Sequence, residues 1–120
     1  MLVTGSDAVG LVLATALDAV SLRQRVTADN IANVDTPGFR ATSVDFETSL
    51  RSAIEDGEFG TDETLSVSTQ PTLTPVGANG NNVDLRKETM AAMQSLFQYQ
   101  ILTRAVSDRY ALVRTSAGGV

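Results

Sequence analysis

Pro37 and Gly38 decide how this chain can be laid out. Proline disfavours helical geometry in the residue before it, so no helix runs on through Thr36. A Pro-Gly pair also suits the two central positions of a type II turn. Just upstream, Ala28-Asp29-Asn30-Ile31-Ala32-Asn33 tolerates a helix, and Ile31 and Ala32 continue an apolar face begun earlier. The chain therefore leaves one long helix, turns sharply and starts again. A capped helix end accounts for the turn. It does not call for asparagines at both Asn30 and Asn33.

The helix feeding that turn is legible from its spacing. Ser6 suits an N-cap, with Asp7 at the positive end of the helix dipole. Val9, Leu13, Leu17, Val20, Gln24, Thr27, Ile31 and Val34 then recur at intervals of four and three, a coiled-coil seam that Val12 and Ala16 widen. Asp18, Arg23, Arg25 and Asp29 fall mostly off it. A helix over 7–33 is roughly 40 Å long at about 1.5 Å per residue. Gln24 and Thr27 interrupt the seam. They mark either a partly exposed segment or a register-setting hydrogen bond across a helix interface.

Beyond the turn, Thr42 offers an N-cap with Asp45 three residues later, and Phe46, Leu50, Ala53 and Ile54 share one helical face that Gly57 ends. From Gly57 to Asn82 the chain is polar. Leu65-Ser66-Val67-Ser68-Thr69 alternates as a strand does, with Thr72-Leu73-Thr74-Pro75-Val76 as its expected neighbour, and Pro71 and Pro75 restrict both to an edge. Ala78-Asn79-Gly80-Asn81-Asn82 reads as a turn or a mobile loop. From Asp84 a helical pattern returns and runs to about Arg114. Met90, Met93, Leu96, Phe97, Ile101, Leu102, Ala105, Val106, Leu112 and Val113 give a face wider than one partner helix covers.

The expected fold is mainly α: long N- and C-terminal helices pack as an α-helical hairpin or coiled coil, with a short middle helix and a polar loop or small β segment. It divides into an N-terminal core helix (1–34), a turn, short helix and polar middle (35–82) and a C-terminal core helix (83–120), forming one structural unit. The residues expected to pack the helices are Leu13, Leu17, Val20, Ile31, Met93, Leu96, Phe97, Leu102, Val106 and Val113.

Composition narrows the function. The 120 residues allow one domain with a modest core. There is no Cys and no His, which excludes disulfides, zinc sites of the usual kind and any His-based triad. A formal charge of -5 argues against a general basic surface for nucleic acid. The charge is uneven: the acids from Asp35 to Glu63 outnumber Arg40 and Arg51, while basic residues prevail from Arg86 to Arg114. These are either ordinary solvated faces or regions that meet between neighbouring subunits. The carboxylates nowhere pair in an apolar setting that would raise one pKa for acid–base work. The Asn-rich loop before Asp84 lacks the acidic spacing of a calcium loop. No catalytic, metal or cofactor residues are assigned. The apolar run from Val9 to Leu17 has no basic residue before it and is too short to span a bilayer, so neither a signal peptide nor a membrane span is expected there.

Asn30-Ile31-Ala32-Asn33, a variable residue, then Asp35-Thr36-Pro37-Gly38-Phe39 resembles the N-terminal signature of bacterial flagellar rod and hook proteins. Val44-Asp45-Phe46 and Gly80-Asn81-Asn82-Val83-Asp84-Leu85 narrow the likeness to the proximal rod family, FlgB. Val34 departs from it, since the family more commonly has Ala there. The likeness covers nearly the whole chain and implies a non-enzymatic structural subunit of the basal-body rod, linking the membrane ring and export apparatus to the axial drive shaft. It implies export without a cleaved signal, a place in the periplasmic part of the rod, and terminal helices packed among subunits. The implied partners are other rod subunits, membrane-ring and export-gate or adaptor proteins, and further copies of the chain. Asn30, Ile31, Ala32, Asn33, Asp35, Thr36, Pro37, Gly38, Phe39, Val83, Asp84 and Leu85 become the motif and assembly residues. The seam by itself also suits a coiled-coil adaptor that binds a partner helix.

Overall fold

A computed structural model describes residues 5–57 and 67–117, with side chains from 8 to 57 and from 67 to 115. Two long helices dominate: α1, Gly5–Ala32, and α3, Leu85–Ala117. Between them lie the strand β1, Thr42–Val44, the short helix α2, Glu47–Glu55, and the strand β2, Thr69–Pro71. The long helices pack on each other as an antiparallel hairpin, and the molecule is correspondingly drawn out, 65 × 28 × 16 Å.

The middle segment departs from its sequence reading in two places. Thr42 does not cap a helix; it opens β1, and α2 starts after Phe46 without a side-chain cap. The competing force is the pairing of β1 with β2, antiparallel, with Thr42 opposite Pro71, Ser43 opposite Gln70 and Val44 opposite Thr69. The expected partnership of 65–69 with 72–76 is thereby replaced. Thr72 instead donates its N–H to the Ala41 carbonyl at 3.1 Å, and Leu65 and Ser66 lie outside the described residues. Pro71 fits because a two-stranded ladder leaves every residue at an edge. At its other end α2 stops at Asp56-Gly57 as expected.

The core is small and lies where β1 crosses the hairpin. Ala16, Ala19, Val20, Val44 and Phe46 are its buried members, with Leu22, Val26, Leu50, Val67 and Leu102 packed around them. Burying a Val or Phe side chain contributes about 1.5–3 kcal/mol, so few such residues hold this middle in place.

The facing surfaces of the long helices are made largely of small residues. On α1 the buried positions are Ala16, Ala19, Val20, Thr27 and Asn30. On α3 the inward positions are Glu88, Ala91, Ala92, Ser95, Gln98, Leu102, Ala105 and Val106, of which Ser95 is wholly buried. Small side chains let helix axes approach closely. This turns α3 relative to the expected arrangement. Of the packing residues anticipated from sequence, Val20 is buried, and Leu13, Leu17, Ile31, Leu102 and Val106 are half-buried along the seam. Met93, Leu96 and Phe97 point away from α1 and are exposed, while Val113, though 52% exposed, borders a groove between the first half of α1 and the last half of α3. Within the hairpin, the expected role of Met93, Leu96 and Phe97 is corrected: at the level of Ala91, Ala92 and Ser95 the seam is made of small residues, and the larger Leu13, Leu17, Leu102 and Val106 pack farther along it.

Candidate functional site

The long helix α1 ends by tightening. Asn33 N–H is shared between the carbonyls of Asp29 and Asn30 at 3.2 and 3.1 Å, and Val34 and Thr36 donate three residues back, to Ile31 and Asn33. Such contacts satisfy carbonyls that a helix end otherwise leaves open. The Pro-Gly turn follows in the expected form, with Gly38 at φ +76° and Phe39 N–H reaching the Thr36 carbonyl at 3.2 Å.

The two asparagines have separate tasks. Asn30, 1% exposed, clamps the start of β1 with both ends of its amide. Its Nδ2 donates to the Thr42 carbonyl at 2.7 Å, and its Oδ1 accepts from Thr42 N–H at 3.2 Å. A primary amide has a donor and an acceptor side by side and so can replace a strand neighbour. Asn33 turns back along α1, donating to the Asp29 carbonyl at 2.8 Å and accepting from Thr36 Oγ1 at 3.1 Å.

The second motif closes on the first from the far end of the sequence. Asn81 Nδ2 donates to the carbonyls of Asn33 and Thr36, at 2.8 and 2.7 Å. Its Oδ1 accepts from Val83 N–H at 2.7 Å. Asn82 Oδ1 accepts from the buried N–H of Ala41 at 2.6 Å, and its own N–H donates to the Phe39 carbonyl at 3.3 Å. Gly38 N–H donates to the Asn79 carbonyl at 3.0 Å. Residues 77–82 are an ordered turn: Gly80 N–H reaches the Gly77 carbonyl at 3.0 Å, and Asn81 and Asn82 are buried. The mobile-loop alternative is set aside by those bonds. Asp84 then caps α3, its Oδ1 accepting from Lys87 N–H at 3.2 Å.

The junction thus gathers Asn30, Asn33, Thr36, Gly38, Phe39 and Val83 into one amide-bonded unit, with Asp84 one step away at the start of α3. Ile31 is half-buried beside it, while Ala32, Asp35, Pro37 and Leu85 lie exposed on its rim. Its chemistry is positional. Neutral amides and carbonyls fix a bend between two helices and offer no activated nucleophile or acid–base pair.

A second node was not anticipated. Arg23 turns inward and bonds to three parts of the chain. Its guanidinium donates to the Val44 carbonyl at 2.6 and 3.2 Å, to Glu47 in a fork at 2.6 and 2.8 Å, and to Gln98 Oε1 at 3.1 Å. It also lies 4.8 Å from the Phe46 ring centroid. The hydrogen bond from Arg23 holds the Glu47 carboxyl below its ordinary value, partly opposed by burial. The cross-helix hydrogen bond sought at Gln24 or Thr27 falls instead on Arg23 and Gln98.

Residues 11–40, which run along α1 and through the Pro-Gly turn, match the family model described as flagella basal body rod protein. The chain as a whole is similar to curated relatives named flagellar basal body rod protein FlgB. It is 34% identical to the one from Borreliella burgdorferi over 107 residues, which cover 72% of this chain and 78% of the relative. The relative from Bacillus subtilis is 32% identical over 118 residues, 89% of this chain and 91% of its own length. The chain belongs to the FlgB family of flagellar basal body rod proteins. The Escherichia coli FlgB, 32% identical over 112 residues, spans 78% of this chain and 81% of its own. In this FlgB-family chain, the family model ends just after the turn that Asn81 and Asn82 grip. Those two asparagines sat in a polar run whose composition reads as loop, and only the resemblance carried by Gly80-Asn81-Asn82-Val83-Asp84-Leu85 hinted at more. Arg23 had no local signal, because its partners are 21 to 75 residues away.

Proposed function

We propose that this chain is a non-enzymatic structural subunit of the flagellar basal body rod, whose α3 outer face is covered by neighbouring subunits. The observation that carries the reading is that face itself. From Thr89 to Thr103 α3 has no charged residue. Met90, Met93, Leu96, Phe97 and Ile101 along it are between 51% and 67% exposed. Contiguous apolar surface of this kind marks an interaction site. The amide-bonded junction supplies the other need of an axial part, a bend of fixed geometry between its two helices.

Family membership supports assembly with other rod components, and the finer placement follows the same logic. The subunit bridges the membrane ring and export apparatus to the axial shaft, within the periplasmic part of the rod. It is delivered there without a cleaved signal. No described helix is long and apolar enough to cross a membrane, in keeping with contact to ring and export-gate proteins rather than to lipid.

Far-UV circular dichroism with sedimentation velocity over a concentration series tests the reading. The expected result is helicity and particle size that rise together as α3 faces are covered. A compact helical monomer unchanged across the series would overturn it and favour a coiled-coil adaptor for a foreign helix.

A further inference from the structure

Asn79-Gly80 is the one place in the sequence where an asparagine precedes a residue without a side chain. Asn30 and Asn33 precede Ile31 and Val34, Asn81 precedes Asn82, and Asn82 precedes Val83. The difference is chemical. The backbone nitrogen that follows an asparagine can attack the side-chain amide carbon; a branched side chain crowds that approach, and glycine leaves it open. Asn79 is also exposed, whereas Asn30, Asn81 and Asn82 are buried.

The folded turn holds the reacting atoms apart. Gly80 N–H donates to the Gly77 carbonyl at 3.0 Å, and Asn79 Oδ1 accepts from Asn81 N–H at 3.1 Å. Ala78 and Asn79 both keep negative φ, so residues 77–80 form a type I turn. In that turn ψ at Asn79 is about 0°, which places the Gly80 nitrogen about a third of a turn away from the Asn79 Cβ. Closing a five-membered ring needs the two on the same side. Rotation about the Asn79 Cα–C bond would bring them together, but it also swings the Asn79 carbonyl oxygen. That oxygen is held by Gly38 N–H at 3.0 Å. The neighbouring Asn81 amide grips the carbonyls of Asn33 and Thr36.

We propose that Asn79 is a deamidation site whose rate is set by the opening of the junction between the two motifs. In the open chain the Gly80 nitrogen gives its proton to solvent base and bonds to Asn79 Cγ, and the side-chain nitrogen leaves as ammonia. Water then opens the cyclic imide. Cleavage at Cγ gives aspartate. Cleavage at the backbone carbonyl gives isoaspartate, which carries the main chain through the former side chain and lengthens it by one atom. The carbonyl that Gly38 held is then a free carboxylate, and the original contact is lost. The site is a property of the single chain and is independent of the rod-subunit reading.

The full-length chain, kept at mildly alkaline pH with and without urea, tests it. Peptide mapping by mass spectrometry follows conversion at each asparagine, and circular dichroism confirms which samples are folded. In urea Asn79 is expected to convert first. In the folded chain it is expected to convert about tenfold more slowly or less, because reaction waits on local opening. Gly38→Ala strains the junction from a position far from Asn79 in sequence. In urea this variant is expected to match the wild type, and folded it is expected to convert about fivefold faster. Asn81→Ala, which releases the second grip, is expected to accelerate folded conversion further. Conversion that starts at another asparagine in urea would overturn the site. Equal rates for folded and urea-treated wild type would overturn the protection. Folded variants that convert no faster than the wild type would leave control with the 77–80 turn alone and overturn the role of the junction.

Discussion

Gly38 and Gly80 lie back to back: a Cβ built on Gly80 would stand 3.2 Å from the Gly38 Cα. Both have positive φ, +76° and +81°, a region that costs other L-residues about 1–2 kcal/mol. The two motifs therefore meet through the one residue type that allows both the turn and the approach.

Alanine at the two positions is expected to give unequal losses. At Gly38 the new methyl points into open space, so only the backbone term applies, about 1 kcal/mol. At Gly80 the same term is joined by a contact with backbone that has no flexible end to yield. Gly80→Ala is expected to destabilise by at least about 1 kcal/mol more than Gly38→Ala, read as the difference in urea midpoint. Equal losses would mean that the junction opens without resistance.

Asn81 gives a sharper chemical test. Its amide donates to two carbonyls, those of Asn33 and Thr36. Asn81→Ala removes the donor and leaves both acceptors short, at a cost of about 1–3 kcal/mol. Asn81→Asp is closer in shape but aims a carboxylate oxygen at two carbonyl oxygens. It is expected to be the worse of the two in thermal melts, despite its smaller change in volume.

How these elements were read from sequence depended on how local their causes are. The C-terminal end of α1, the start of α3, the Pro37-Gly38 turn and the end of α2 follow from residues within a few positions of one another, whereas α1 already includes Gly5, so Ser6 lies inside the helix and is not the cap expected there. The partners of β1 do not. Thr42 looks like a cap locally, and only pairing with Thr69-Gln70-Pro71, supported by the Asn30 clamp, makes it a strand. The rotation of α3 was hidden for a related reason. Hydrophobic spacing identifies an apolar face but not which of two faces meets the partner helix, and here the small face at Ala91, Ala92 and Ser95 does so. Asn30 and Asn33 stood out as excess polarity at a helix end. Their partners, Thr42 for the Asn30 amide and Asn81 for the Asn33 carbonyl, were visible only once the chain had folded back.

Glu47 carries a pH dependence whose sign is fixed by its environment. The Arg23 hydrogen bond lowers its folded-state pKa below the ordinary 4.5. The pair's contribution is therefore fully present above the unfolded value and is lost as pH falls through the lowered folded value. With the Glu47 side chain 46% exposed, that contribution is under about 1 kcal/mol. The stability gap between wild type and Glu47→Gln is expected to be constant near neutrality and to shrink below about pH 4.5. A gap that widened on acidification, in urea titrations at stepped pH, would contradict the assignment.

Ser95 is the one residue in the helix seam whose polar atom is buried without a hydrogen-bond partner among the described residues. A buried hydroxyl left unpaired costs about 1–3 kcal/mol, and alanine is the better helix former. Ser95→Ala is expected to stabilise the chain by about 1 kcal/mol, seen as a higher urea midpoint with an unchanged slope. Ser95→Val is expected to do the opposite, because the wholly buried Ser95 position has no room for added methyl groups. If both variants were neutral, the helices would be packed less closely at this level than the burial of Ser95 indicates.

The outer face of α3 separates folding from assembly. Met93 and Phe97 are 59% and 61% exposed, so they contribute little to the single chain. Replacing both with Gln keeps helix propensity close to that of the original residues and removes apolar surface without adding charge. The isolated variant is expected to melt within about 0.5 kcal/mol of the wild type, as surface changes do. In a flagellated cell whose own copy is replaced, the same variant is expected to abolish swimming in soft agar while the protein is still made. Normal swimming would show that this face is not covered in the rod. Loss of swimming with a destabilised monomer would instead mean that the face packs within the chain.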